Sequence, residues 1–208
     1  MISSLDSLTE EIITQRLRMT FQSNPVLYSS GNSDQTNVIN QIPRHAAVLV
    51  PFLRKKNSWH LLFTKRTDKL VEHSGQVAFP GGQLDSDDET IEAGALREAR
   101  EEIGLQTDDV KLLGKLPPLL TITNYLVTPV IGKIPWPYQF SLETDEVNRV
   151  FTIPLNWLAE STNYKITEHK LPDHSNRFLT IYYKTYDHET LWGVSARITL
   201  NLIHALLI

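Results

Sequence analysis

Gly81-Gly82-Gln83-Leu84-Asp85-Ser86-Asp87-Asp88-Glu89-Thr90-Ile91-Glu92-Ala93-Gly94-Ala95-Leu96-Arg97-Glu98-Ala99-Arg100-Glu101-Glu102-Ile103-Gly104-Leu105 reads as a glycine turn, an acidic loop and one carboxylate-bearing helix. Ser86 followed three residues later by Glu89 predicts a capping box, and Asp87, Asp88 and Glu89 suit the positive end of a helix dipole. Gly104 enters the left-handed conformation readily, which predicts the stop. At about 100° per residue, Glu98, Glu101 and Glu102 share one arc, and Ala95, Leu96, Ala99 and Ile103 fill the arc beside it. Carboxylates at i, i+3 and i, i+4 repel one another, so a compensating positive charge is expected on that edge. Hard oxygen donors of this kind suit Mg²⁺ or Mn²⁺, which combine one or two carboxylates with waters and substrate phosphates. A solvated acidic face is the alternative for a bare pair of glutamates.

Just upstream, Lys65, Arg66, Lys69 and His73 place positive or proton-bearing groups before the acidic helix, and Gly75 and Gly81-Gly82 let backbone approach a ligand closely. A polar connection with solvated charges is the plainer reading of the same residues. Further along, Glu143-Thr144-Asp145-Glu146 adds a second acidic group ahead of Val147 and Phe151-Thr152-Ile153-Pro154.

Taken together, Gly82, Glu89, Arg97-Glu98, Glu101-Glu102, Gly104 and Leu105 resemble the Nudix box, the signature of hydrolases that cleave a nucleoside diphosphate linked to another group. Six residues, where five are usual, separate Gly82 from Glu89. The segment before it resembles the motif that accompanies the box in coenzyme A pyrophosphatases: Leu62, Thr64, Arg66, Gly75, Phe79, Pro80, Gly81 and Gly82 match, and Thr67 stands where that family has Ser. Phe63 replaces a Leu, and Val71 replaces a second Arg, which removes one guanidinium from the expected phosphate or nucleotide contacts.

The resemblance implies an α/β Nudix fold, a mixed β-sheet sandwiched between α-helices. It implies a metal-dependent pyrophosphatase using Mg²⁺ or Mn²⁺ on coenzyme A, with another substrate such as ADP-ribose or NADH, or a non-catalytic nucleotide-sensing module, as alternatives. The metal candidates are Glu98, Glu101 and Glu102, joined through the resemblance by the Gly82 backbone carbonyl. The catalytic candidates are Glu98, Glu101 and Glu146, with Glu98 or Glu146 as the base. Arg66, Gly75, Phe79 and Gly81 are the substrate-binding candidates. Arg97 is expected to pair with the box's first acid, taken as Glu89, and to orient the helix.

The 208 residues suit one principal domain, with an N-terminal helix and flexible linker over 1–41 and the Nudix domain over 42–208. A net charge of −4 offers no global attraction to nucleic acid or anionic lipid. The expected partner is a small nucleotide, and a homodimer is compatible with it. No cysteine, no export signal and no long apolar run are present in this sequence, which reads as a cytoplasmic protein. No His-x-x-x-His spacing points to zinc.

Leu5, Leu8, Ile12, Ile13 and Leu17 recur at helical spacing, predicting an amphipathic helix packed on the core. Strands are predicted over 46–53 and 59–65, joined as a hairpin, then over 110–116, 125–134 and 178–186. Pro129 argues that its strand lies at an edge or a bulge. Trp136, Tyr138 and Phe140 either cover a substrate or, as aromatic clusters more often do, pack on the core, and 195–208 is expected to form a final helix with Ile198, Leu202 and Leu206 inward.

Overall fold

The longest strand, β2 (Arg44–Lys55), turns at Lys56-Asn57 into β3 (Ser58–Arg66), and both are apolar on two faces. Ala47, Leu49, Leu53 and Leu62 point to one side, and Ala46, Val50, Phe52, Leu61 and Phe63 to the other. Strands buried on both faces must lie inside a layered sheet, and the computed structural model places them at its centre. It describes residues 5–23, 27–28, 42–68, 75–170 and 177–207. Lys69, Val71, His73 and most of the linker proposed over 22–41, residues 24–26 and 29–41, lie outside these.

The remaining elements follow in chain order. They are α1 (Glu10–Ser23), β1 (Leu27–Tyr28), β4 (Val77–Ala78), β5 (Gly81–Gln83), α2 (Ile91–Ile103), β6 (Lys111–Lys115), β7 (Leu119–Leu120), β8 (Tyr125–Lys133), β9 (Val147–Pro154), α3 (Leu155–Ala159), β10 (Tyr164–Lys170), β11 (Arg177–Tyr183) and α4 (Gly193–Leu207), with α1 and β1 ahead of β2. The sheet runs β1-β7-β8-β2-β3-β4, with β5 also paired to β2, β6 to β8 and β9 to β3. It is mixed: β2 runs parallel to β8 and antiparallel to β3 and β5. Helix α2 covers one face, and α1, α3 and α4 share the core on the other. This is the expected α/β arrangement. No helix of the described residues is long and apolar enough to cross a membrane.

Ile13 and Leu17 of α1 are fully buried, each worth about 2 kcal/mol of transfer free energy. Ile12, expected inward, is exposed, because the buried stripe runs through Leu5, Leu8, Ile13 and Leu17 and a short 3₁₀ turn at Leu5–Ser7 shifts the phase. Pro129 is not on an edge strand, since β8 has β2 on one side and β6 and β7 on the other. Its missing N–H falls where the flanking partner changes: β7 pairs up to Val127 and β6 begins at Val130. Strand β10, seven residues paired in register with β11, was not foreseen.

Candidate active site

The site is assembled where β2 changes partners. Its C-terminal half pairs with β3 and its N-terminal half with β5, and Leu49 N–H donates to the Pro80 carbonyl between them. The Gly81-Gly82 backbone thereby lies under α2. A Cβ on Gly81 would stand 2.4 Å from the Ala47 carbonyl oxygen, and one on Gly82 would stand 2.6 Å from the Glu98 carboxyl carbon. The second contact is the one that matters for function, because it shows the Glu98 carboxylate resting against the glycine backbone.

Helix α2 starts four residues later than the Ser86 capping box would have it. Thr90 is the N-cap, its hydroxyl accepting from the Ala93 N–H at 3.0 Å, and Gly104 closes the other end at φ 69°. The chain ahead of Thr90 is held by Arg97 instead. Arg97 Nε donates to Asp88 Oδ1 at 3.1 Å and Nη2 to Asp88 Oδ2 at 3.0 Å, a two-point pairing, and Nη1 donates to Glu98 at 2.9 Å and Glu101 at 3.2 Å. The expected pairing of Arg97 with Glu89 is therefore corrected to Asp88, while Glu89 is exposed. The signal was available: five residues separate Gly82 from Asp88, which puts an acid at the usual box spacing. Bonds from Arg97 hold the Asp88 carboxyl below its usual range, and bonds to Asp88 first, then to Glu98, raise the Arg97 guanidinium above its own.

One turn further along the helix the charge balance reverses. Glu102 is 5% exposed and its pKa is pushed up to about 8, first by burial and then by the neighbouring Glu98 and Glu146 carboxylates. Arg66, 3.7 Å away, and the Gly81 N–H oppose this without cancelling it. Burial also raises Glu98, against the pull of Arg97, with Glu101 and Glu146 adding repulsion. Glu146 reaches this pair from the turn ahead of β9, where its carbonyl accepts from Thr67 N–H at 2.9 Å. Glu143 N–H donates to the Glu102 carbonyl at 2.9 Å, pinning that turn to the helix end.

The candidates thus divide. Glu98, Glu102, Glu146, Arg66 and Gly81-Gly82 come together. Glu101 is turned onto Arg97 with its side chain 55% exposed. Gly75 lies in a turn beside Asp68, at the edge of the residues described. Phe79 is a correction: it is buried in the core on the face opposite α2, stacked on Phe63 at 4.6 Å, and cannot meet a substrate held by the glutamates. Among the described residues no three His, Asp or Glu side chains stand close enough as placed to enclose an ion.

The glycine-lined sheet opening, the acidic helix laid over it and the half-buried Arg66 guanidinium stand together in one place. The family model described as NUDIX domain matches residues 43–171, and the chain belongs to the Nudix family, as a hydrolase acting on phosphorus-containing anhydrides. A protein of Enterobacter sp. (strain 638) described as an uncharacterized Nudix hydrolase, NudL, is 38% identical over 166 residues, 80% of this chain and 83% of its own length. The protein of that description from Citrobacter koseri is 39% identical over 159 residues, 76% of this chain and 81% of its own. A crystal structure of a MutT/nudix family protein from Enterococcus faecalis superposes with a TM-score of 0.48 at 16% identity, over 79% of this chain and 61% of that one.

Proposed function

We propose that the chain hydrolyses the diphosphate of coenzyme A or its derivatives, releasing 4′-phosphopantetheine and adenosine 3′,5′-bisphosphate. The observation that carries the hydrolytic part is Glu102, a buried glutamate with a pKa near 8 set against a second raised carboxylate, Glu98, with Arg66 at 3.7 Å from Glu102 and Arg97 shared between Glu98 and three other acids. Such a pair is short of positive charge. The coenzyme A part is supported by where the upstream motif lands, since Arg66 and Gly81-Gly82 meet the helix glutamates in one place.

The donor set fits a hard divalent cation: all oxygen, two carboxylates deficient in countercharge, with backbone glycine alongside. Glu98 and Glu102 would hold Mg²⁺ or Mn²⁺, with Glu101 and the Gly82 carbonyl as the further donors. When bound, the cation supplies charge for phosphate oxygens and acidifies a coordinated water. Arg66 Nε is buried with no hydrogen-bond partner among the described residues, so its N–H is available to a phosphate oxygen. Glu98 is tied to Arg97, whereas Glu146 is exposed opposite the pair, and we assign to Glu146 the proton taken from water. Arg97 and Asp88 position the helix, and Gly82 leaves the space that the Glu98 carboxylate occupies.

Incubation with Mg²⁺ and, in turn, coenzyme A, ADP-ribose and NADH, with products identified by mass, tests the reading. It expects 4′-phosphopantetheine and adenosine 3′,5′-bisphosphate. Turnover of ADP-ribose or NADH in place of coenzyme A would reassign the substrate. No turnover of any diphosphate would leave a nucleotide-sensing module.

A further inference from the structure

Glu102 and Glu189 are the two buried carboxylates among the described residues, at 5% and 7% exposure, and their surroundings differ. Glu102 stands among other carboxylates. Glu189 stands between two cations, with Lys65 Nζ 3.1 Å and Arg149 Nη1 3.8 Å from its Oε1. Burying a carboxylate is costly unless it is paired, so a pairing this complete needs a reason. The turn that carries Glu189 is built to deliver it. Tyr186 and Glu189 exchange backbone hydrogen bonds of 2.9 Å across Asp187 and His188, whose φ angles of 50° and 66° make a two-residue hairpin turn. Asp187 engages Arg149 from the same turn.

The reason lies in what the two cations straddle. Lys65 of β3 and Arg149 of β9 stand directly opposite each other in the ladder, on the face of Phe63 and Phe151 and so away from α2. Like charges in that relation repel and loosen a strand pair. The register shifts at the next step, where Arg66 faces Val147 and Asn148 is left as the extra residue of a bulge. Bulges turn a strand and re-aim the side chains beside them. Here the re-aimed residues belong to the candidate site: Arg66 comes within 3.7 Å of Glu102, and just past the bulge Thr67 N–H donates to the Glu146 carbonyl at 2.9 Å. We infer that Glu189 is a positioning residue for that site: by neutralising Lys65 and Arg149 together it keeps the two strands closed at the bulge, and so fixes Arg66 and the Glu146 turn against the helix glutamates. It acts from the opposite face of the sheet. The inference rests on the hydrolytic reading for its effect on turnover, but not for its effect on the bulge.

Glu189→Gln keeps the shape of the side chain and removes its charge. With coenzyme A in Mg²⁺ it is expected to raise KM about tenfold, by loosening the Arg66 contact to phosphate, beyond any fall in kcat. A chain that is merely less stable loses active fraction, and with it kcat, but keeps its KM. Adding Lys65→Met removes one of the two repelling cations and leaves Arg149 with Asp187, so the double variant should return KM to within about threefold of the wild type. The double variant is made in its own right. If Glu189→Gln does not fold, a folded double variant with that KM carries the same result, and an unfolded one overturns the inference. A wild-type KM in Glu189→Gln, or a double variant no better than the single one, also overturns it. Amide hydrogen exchange reads the bulge without turnover: Thr67 N–H should exchange about tenfold faster in Glu189→Gln and recover in the double variant, while Leu49 N–H, bonded to the Pro80 carbonyl, stays as in the wild type. If exchange changes in this way but no diphosphate is hydrolysed, the hydrolytic reading fails and the positioning role stands. Hydrolysis with KM and exchange both unaltered by Glu189→Gln has the reverse meaning.

Discussion

The two edges of α2 carry similar residues and behave in opposite ways. On one edge Arg97 gathers Asp88, Asp85, Glu98 and Glu101, each within 3.4 Å of its guanidinium nitrogens, and the Asp88 carboxyl is held below its usual range. On the other, Glu102 meets the Glu98 and Glu146 carboxylates with Arg66 at 3.7 Å as its own cation, and its pKa stands near 8. A neutralised cluster fixes geometry, and an under-neutralised buried one marks the place where a cation or a substrate must complete the charge. Glu98 belongs to both, so under the proposed function the ordered edge positions the reactive one.

The largest expected effect separates the edges directly. Glu102→Gln should reduce hydrolysis by about 10²–10³-fold in kcat, the range for losing one preorganised charge in a phosphoryl site, while leaving the fold as stable as before or more so. Asp88→Ala should do the opposite in kind: a loss of about 2 kcal/mol in denaturant unfolding, because two charge-assisted bonds from Arg97 lose their acceptor. Full activity and unaltered stability in Asp88→Ala would erase the distinction between positioning and reacting edges.

A pH series sharpens it further. The folded Glu102 carboxyl titrates near 8 against an ordinary 4.5, so between those values the folded chain holds a proton that the unfolded chain has released. Its contribution to stability is therefore complete below about pH 4.5 and is lost as pH rises through 8. Thermal unfolding in chelator should show this decline, Glu102→Gln should lack it, and saturating Mg²⁺ should flatten it by favouring the charged form. A metal-free profile identical in wild type and Glu102→Gln would contradict the burial argument. The smallest effect is expected at Glu89, whose replacement by Ala should change stability by under about 0.5 kcal/mol, as for an exposed side chain.

The helix register was legible because four apolar residues, Ala95, Leu96, Ala99 and Ile103, recur on one arc and all four are buried. Its start was not. Ser86 satisfies a local capping pattern, but Asp88 is drawn to Arg97, nine residues away, and Leu84 packs against Gly94, where a Cβ would stand 2.3 Å from its methyl group. These contacts set the loop path and leave Thr90 to cap the helix. The central strands declared themselves through two-sided apolar runs, whereas residues 164–169 are half-exposed or exposed and are stabilised by pairing with a later strand. Phe79 misled for a related reason: it adjoins the functional glycines in sequence, but its own side chain points into the opposite layer.

Titration with Mn²⁺ followed by electron paramagnetic resonance tests the central claim most directly, because it reads the charge deficit without requiring turnover. The wild type is expected to take up one ion or more per chain, and Glu102→Gln to weaken that binding by about ten- to a hundredfold while Glu89→Gln leaves it unchanged. Equal Mn²⁺ affinity in the wild type and Glu102→Gln would contradict the account.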